Sequence, residues 1–425
     1  MGTMTRRQVF GTMGAAVAAS ALPTLPAWAA SRSIRHYWWG NPDRDKRTFA
    51  VIDAFQKNHP EIAVSGETIG WGDYWTKMAT QTAGGNMADL VQMDYRFLFE
   101  YVLRGALQPL DDHIGNGLDL SNFDEGPLAG GMVDGKLYAL NIGSNSQVIP
   151  YNTRLFDEAG VTADVINWTR EDFANACEQI ATKTNAKGAD DFSLFIEYME
   201  AWARQEGRDF YDAEGNIAAT AEDVAGYWTY WGDLRKAGVV MDKNHTVILD
   251  KPMSDNGIVT GASAMSPFWS NQLVAIQGLV ADPIGAAMVP HKAGGAWAQF
   301  IKPSMFLSLS RDAKDVEAAI MYMNDWINNP EATSILGLER GIPANPTVRA
   351  ALAPSFTPAE KLSVDYFEAI TDKVGALPLP APKGAGEVRD AFMRIGSEVV
   401  LDRMSAADAA ALFIEDAQSI VERAR

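Results

Sequence analysis

Residues 33–67 read SIRHYWWGNPDRDKRTFAVIDAFQKNHPEIAVSGE. The segment 33–39 predicts a short strand, and Gly40-Asn-Pro-Asp43 a turn. Phe49, Ile52, Ala54 and Phe55 fall at helical spacing over 47–58, and Pro60 closes that helix. A second strand is predicted at 62–67. The alternation continues with a helix at 73–83 stopped by Gly84-Gly85, a strand at 89–93 and a helix at 97–104. Such alternation predicts an α/β fold whose mostly parallel sheet carries helices on both faces. Ligands of these sheets lie beyond the carboxyl ends of the strands. Trp39, Trp71 and Asp94-Tyr95 each follow one of the first three strands, so one rim is expected to gather aromatics and a carboxylate.

Downstream, Asp134-Gly135 in VDGKLYAL predicts a hairpin leading into an extended run over 138–151. Further helices are expected at 170–182, 198–206, 221–237 and 316–328, and from about 357 onward. Strands are expected at 192–196, 285–289 and 305–309, with a turn at Asp212-Ala-Glu-Gly215 rather than a calcium loop. There is no internal repeat and no low-complexity linker. Two lobes with the chain crossing between them therefore fit better than domains in series.

The chain has 425 residues, 47% of them hydrophobic, which allows large cores and excludes wholesale disorder. Twelve tryptophans leave a surplus for an aromatic binding surface. The net charge of −18 argues against nucleic acid as a partner, because phosphate neutralisation needs basic patches. A single cysteine, Cys177, permits no intrachain disulfide and is expected buried on a helix. At the start, Arg6-Arg7, an Ala- and Gly-rich stretch and Ala27-Trp-Ala29 predict a twin-arginine export signal over 1–29, cleaved near Ala29. No later apolar run reaches the ~20 residues of a membrane span.

Sequence signatures of the commoner chemistries are missing. There is no GxxxxGK[ST], HExxH, CxxC or GxSxG, and His36, His59, His113, His245 and His291 have no helical ligand spacing. No metal and no cofactor are expected. Fifty-four acidic residues leave open a pair of carboxylates acting as a glycoside hydrolase.

The motifs, taken in order, resemble a family. Over almost all of 33–425 the chain is similar to the carbohydrate-binding proteins of ABC importers, the extracellular solute-binding protein family 1 related to maltose-binding proteins. The marks are Trp38-Trp39-Gly40, Asn58-His-Pro60-Glu-Ile, and GWGDYWTKMATQTAGGNMADLVQMD at 70–94. Gly135-Lys-Leu-Tyr138-Ala, Tyr151-Asn152-Thr-Arg-Leu-Phe156, MSPFWSNQ at 265–272 and Gly341-Ile-Pro-Ala-Asn345 follow. Asn86-Met-Ala-Asp89 departs from relatives, which usually have a proline before the aspartate. The resemblance implies a bilobal periplasmic-binding-protein fold, two α/β lobes joined by crossing hinge segments. Lobe one would be 30–142 plus 290–342, and lobe two 143–289 plus 343–425. It also implies a monomeric, non-catalytic periplasmic protein that holds a sugar between its lobes and delivers it to ABC permease subunits. The alternatives are a secreted glycoside hydrolase, or a binding protein for a polyol or glycerol phosphoester.

Sugars need aromatic faces for their C–H surface and polar groups for their hydroxyl rim. From lobe one, Trp39, Asn41, Asp43, Arg44, Trp71, Asp94 and Tyr95 are expected at the ligand, with Trp38 as core and Asp43 also able to cap its helix. The hinge would add Asn145. Lobe two would add Glu197, Tyr198, Trp269 as the aromatic platform, Asn271 and Trp297. Arg340 either joins them or pairs with an acid such as Glu339 or Asp325. The basic cluster Arg44, Lys46 and Arg47 leaves an anionic sugar open.

Overall fold

The computed structural model describes residues 31–425 apart from 41, 124, 249–251 and 380. The export-signal segment 1–29 and Asn41 lie outside the described residues. Strand β1 (Arg32–Trp39) runs parallel to β2 (Ile62–Ile69) along its whole length and to β3 (Leu90–Met93) on its other edge. Its period-two alternation divides its side chains between two cores. Ile34 and Trp38 join Val51, Phe55 and Trp326 on one face, and Tyr37 and Trp39 join Tyr74 and Met78 on the other. The first helix spans Pro42–Asn58 and begins well before the expected residue 47. Proline suits a first helical turn because its missing N–H would have had no partner there, and Asp43 and Asp45 favour the positive helix end. Asp43 and Arg44 are therefore helical, not parts of a loop.

The remaining strands are β4 (Met132–Val133), β5 (Lys136–Leu137), β6 (Leu140–Asn152), β7 (Phe268–Trp269), β8 (Ile284–Ala287) and β9 (Ile301–Leu309). The main sheet has the order β2-β1-β3-β9-β6-β7, with β8 also on β6. Only the two pairings of β1 are parallel; β3 with β9, and β6 with β7, β8 and β9, are antiparallel. The expected mostly parallel sheet is thus corrected. Local alternation describes only consecutive units, whereas β9, beginning at Ile301, returns from far beyond the end of β6 at Asn152 and enters in the opposite direction. The expected hairpin is present as β4 and β5, with Asp134 and Gly135 both at positive φ (49° and 76°).

Strand β6 leads from one lobe to the other. Its first half pairs with β9 and its second half with β7 and β8. Leu140 belongs to the same core as Trp38, while Val148 and Ile149 belong to cores built from later residues. Residues 290–300 pack with the second lobe: Ala298 joins its core, and the Gln299 amide donates to Ser146 Oγ at 2.9 Å and Tyr366 Oη at 2.8 Å. The return crossing therefore runs along β9. A third passage touches the hinge at Ile342, whose backbone exchanges hydrogen bonds with Ser144 (2.7 and 3.0 Å) beside Gly341 at φ 105°.

The strand expected at 192–196 is absent. Asp191 accepts from the Ser193 N–H at 2.8 Å and the Phe195 N–H donates to Phe192 O at 2.9 Å, so the segment turns, and the helix Ile196–Gln205 begins at once. An aspartate that caps its own backbone outweighs the β propensity of the aromatics after it. The helices Arg170–Lys183 and Ala221–Lys236 open with capping boxes at Thr169/Asp172 and Thr220/Asp223. Cys177 is fully buried in the first, and burial pushes its thiol pKa up. Asp212 accepts from the Glu214 and Asn216 N–H groups and from the Asn216 amide, which fixes it in a turn.

Candidate ligand-binding cleft

Register decides the floor of the cleft. Asn145 on β6 lies opposite Lys302 on β9, and Gln147 lies opposite Trp269 on β7. Residues directly opposite in antiparallel pairs, and residues two apart on one strand, share a face. Lys302, Asn145, Gln147 and Trp269 thus stand on one side of the crossing strands. The Lys302 ammonium reaches over the Trp269 ring, 4.5 Å from its centroid. Asn145 and Gln147 are buried, and the side-chain oxygen of each has no hydrogen-bond partner.

Above this floor lies a chamber of about 290 Å³ bounded by both lobes. Asp94, Tyr95 and Arg96 enter from the first lobe, and Glu197, Glu200 and Arg204 from one face of the helix Ile196–Gln205. Phe210, Tyr211, Trp269 and Phe300 supply aromatic surface, and residues 377–379 cover one side. A second chamber of about 300 Å³ lies within lobe two and shares Glu197 and Trp269 with the first.

Asp94 caps the helix Tyr95–Leu103, accepting from Arg96 N–H at 2.9 Å. The Tyr95 hydroxyl donates to Pro378 O at 2.9 Å, a contact from lobe one to the covering segment, and burial pushes its pKa up to about 12. Arg204 is held by Asp209 at 2.9 Å and by the Ala298 and Ala376 carbonyls. Burial, with the Glu197 charge nearby, raises the Glu200 carboxyl to about 8. Burial lowers the Lys302 ammonium, and Asp94 partly opposes that shift.

Among the expected site residues, Asp94, Tyr95, Glu197 and Trp269 meet in the chamber between the lobes, while Asn145 is buried on β6 opposite Lys302 and does not line it. Tyr198 borders the second chamber, its hydroxyl donating to Val148 O at 3.1 Å. The others do not gather there. Trp39, expected exposed, is 7% exposed and packs against Trp71, Tyr74 and Trp75. Trp71 leaves one side to solvent but belongs to that same aromatic stack. Asp43 pairs with Arg47 at 2.9 Å, and Arg44 with Glu339 at 2.8 Å. Arg340 is buried, donating to Thr48 Oγ1 (2.8 Å), Gln92 Oε1 (3.2 Å) and Glu339 (3.3 Å), so the acid-paired alternative holds. Asn271 is exposed on a short turn, and Trp297 packs on His291 outside both chambers. Lys302, Glu200, Arg204 and Tyr211 were missed. Glu200 and Arg204 follow Glu197 at three and seven residues, a helical spacing that could have revealed them; nothing local marks Lys302.

Residues 50–363 match the family model for bacterial extracellular solute-binding proteins. The chain belongs to that family. A solved extracellular solute-binding protein family 1 member from Alicyclobacillus acidocaldarius superposes with a TM-score of 0.83 at 28% identity, covering 92% of this chain and 98% of that one. A periplasmic oligogalacturonide-binding protein of Yersinia enterocolitica, in complex with saturated digalacturonic acid, gives 0.74 at 21% identity over 92% and 99%, a likeness of fold alone. The arabinooligosaccharide-binding protein of Halalkalibacterium halodurans is 26% identical over 188 residues, 43% of this chain and 37% of that one. The curated relatives are matched over little more than a third of their own length (35% and 37%). The two-lobed arrangement seen here is thus that of solved family members, and the family is one of solute binding.

Proposed function

We propose that this solute-binding protein is the capture component of an ABC importer for a sugar or oligosaccharide. One observation carries the reading: Asp94 and Tyr95 of one lobe and Glu197 and Trp269 of the other line a single chamber. A ligand touching both lobes stabilises the closed form by the contacts it makes only there. The arabinooligosaccharide and oligogalacturonide bound by the two relatives support a saccharide over a polyol or phosphoester. In this reading lobe one comprises 30–142 and the strands returning through β9, lobe two holds 143–300 and most of 343–425, and the monomer hands its ligand to membrane permease subunits. Export to the periplasm by the twin-arginine route, with cleavage near Ala29, completes it; the amino-terminal sequence of the mature protein checks that step. Among the described residues no helix is long and apolar enough to cross a membrane.

Thermal-shift screening against neutral, acidic and amino saccharides tests the proposal. A true ligand at a hundred times its Kd adds about 2.7 kcal/mol of stability. The absence of any shift would refute it. A second reading has one observation in its favour: a carboxyl raised to about 8 beside another carboxylate, Glu200 with Glu197, is the pattern of a glycosidase acid. Turnover of chromogenic glycosides, abolished in Glu200→Gln, would establish that reading instead.

A further inference from the structure

Between the helices Pro358–Ile370 and Ala385–Val400 the chain runs along one side of the interlobe chamber, with no regular secondary structure among the described residues. Both helices belong to lobe two. Tyr366 and Ile370 join the core of Val148 and Phe268, and Val388 and Phe392 join that of Trp228. The connecting segment is fixed to the same lobe near each end. The Gly375 N–H donates to Gln299 O at 2.8 Å, and the Arg204 guanidinium donates to Ala376 O. Further on, Pro382 lies against Gly215, where an added Cβ would stand 3.0 Å from the proline Cβ. Between these anchors the chain touches the other lobe. Pro378 O accepts from the Tyr95 hydroxyl at 2.9 Å. The Leu377 side chain rests on Gly130, where an added Cβ would stand 3.4 Å from Leu377 Cδ2. Leu377, Pro378 and Leu379 also line the chamber. Prolines at 378, 380 and 382 stiffen the sequence here. Each fixes its own φ and keeps the residue before it extended, so Leu377 and Leu379 have little freedom to lose on settling.

We propose that residues 377–379 form a strap, carried by lobe two and latched onto lobe one through Tyr95 and Gly130, that favours the closed arrangement by protein contacts alone. The inference goes beyond the transport reading and does not depend on what the chamber holds. A contact that exists only while the lobes are together shifts the equilibrium toward closure by its own free energy, as a ligand's contacts would. The two ends of the latch are unequal. Lobe two holds the segment through a backbone hydrogen bond to Gln299 and a charged donor, Arg204. Lobe one holds it through one neutral hydrogen bond and one apolar contact. Hydrogen bonds from an ionised donor are the stronger kind. When the lobes part, the strap therefore leaves Tyr95 and Gly130 and travels with lobe two.

Pulsed dipolar spectroscopy on the full chain, with no solute added, tests this. Spin labels go on Ala79→Cys in lobe one and Asn175→Cys in lobe two, both exposed helix positions, while Cys177 is fully buried and out of a label's reach. Tyr95→Phe deletes the donor and is expected to move the open-to-closed ratio about fivefold toward the longer distance, the net worth of one hydrogen bond. Gly375→Ala acts from the other end. Its Cβ would run into the Trp297 carbonyl oxygen and lift the strap off its lobe-two anchor, so the ratio should move the same way. Because both changes act through one strap, the double variant should open no further than the stronger single one. If the melting temperature shows Gly375→Ala to be unfolded, Pro378→Gly, which keeps the carbonyl and frees φ, takes its place in the cycle. An unchanged distance distribution in Tyr95→Phe overturns the latch. Shifts that add in the double variant overturn the single strap joining the two sites. A parent protein found only at the longer distance overturns the proposal as well. None of these outcomes touches the transport reading, which the thermal-shift screen decides separately.

Discussion

At the scale of single residues, Trp269 and Arg340 make a contrasting pair. Both are large side chains expected at the ligand, and the structure separates them. Trp269 borders both chambers and is partly exposed, whereas Arg340 is buried among Thr48, Gln92 and Glu339. Trp269→Ala should weaken saccharide binding by about 2 kcal/mol, roughly thirtyfold in Kd by calorimetry, with an unchanged melting temperature. Arg340→Met should do the reverse, costing about 2 kcal/mol of stability in urea unfolding while Kd stays the same, because it leaves Gln92 without its donor. The same contrast separates Trp38 from Trp39. Alternation puts them on opposite faces, but both faces of this sheet are covered, so both rings are buried. Sequence periodicity gave the facing and could not give the burial.

At the scale of elements, strand and helix identities in residues 32–104 follow from local patterning, and each expected element there exists. What local pattern did not give was the pairing of β9 with β3 and β6. That pairing depends on a return from far along the chain, and it builds the hinge. Close backbone packing at this hinge is visible at Gly143, where a Cβ would stand 2.1 Å from the Arg340 carbonyl oxygen. Gly143→Ala should therefore lower stability by about 1–3 kcal/mol, since backbone must move to admit it. Gly126→Ala, where a Cβ meets nothing within 4 Å, serves as the control and should cost nothing in the same unfolding assay. The segment 192–196 shows the opposite limit of local reading. Its aromatics spell a strand, but Asp191 takes the Ser193 N–H and turns the chain.

At the scale of the whole molecule, two titratable groups give the two lobes opposite responses to pH. His36 in lobe one is enclosed by Trp38, Tyr322 and Trp326, and burial lowers its pKa from 6.5 to about 3. The unfolded chain takes up that proton first, so the stability it contributes is full above about pH 6.5 and is lost as pH falls toward 3. Glu200 in lobe two is raised from 4.5 to about 8. The folded chain holds that proton more tightly, so its contribution is full below about pH 4.5 and is lost as pH rises to 8. Melting temperatures across pH 3–9 should show His36→Phe less sensitive on the acid side and Glu200→Gln less sensitive on the alkaline side. Identical pH profiles in wild type and variants would disprove both assignments.

By itself the sequence determined the α/β class, the order of the early elements and the extended run 138–151, because those features rest on side-chain period and turn chemistry within a few residues. Of the residues lining the chamber, alternation placed only Asp94 and Tyr95 at a strand end; Trp269 followed from the resemblance, and Glu197 from an expected strand that the structure replaces with a helix start. Only the tertiary structure decided which charged and aromatic residues meet. Arg44 and Arg340 went to buried partners, Trp39 to a core, and Lys302 to the floor of the cleft. The reason is that these contacts, such as Trp39 with Trp71 and Arg44 with Glu339, join separate elements, where register and direction, not neighbouring residues, set the distance.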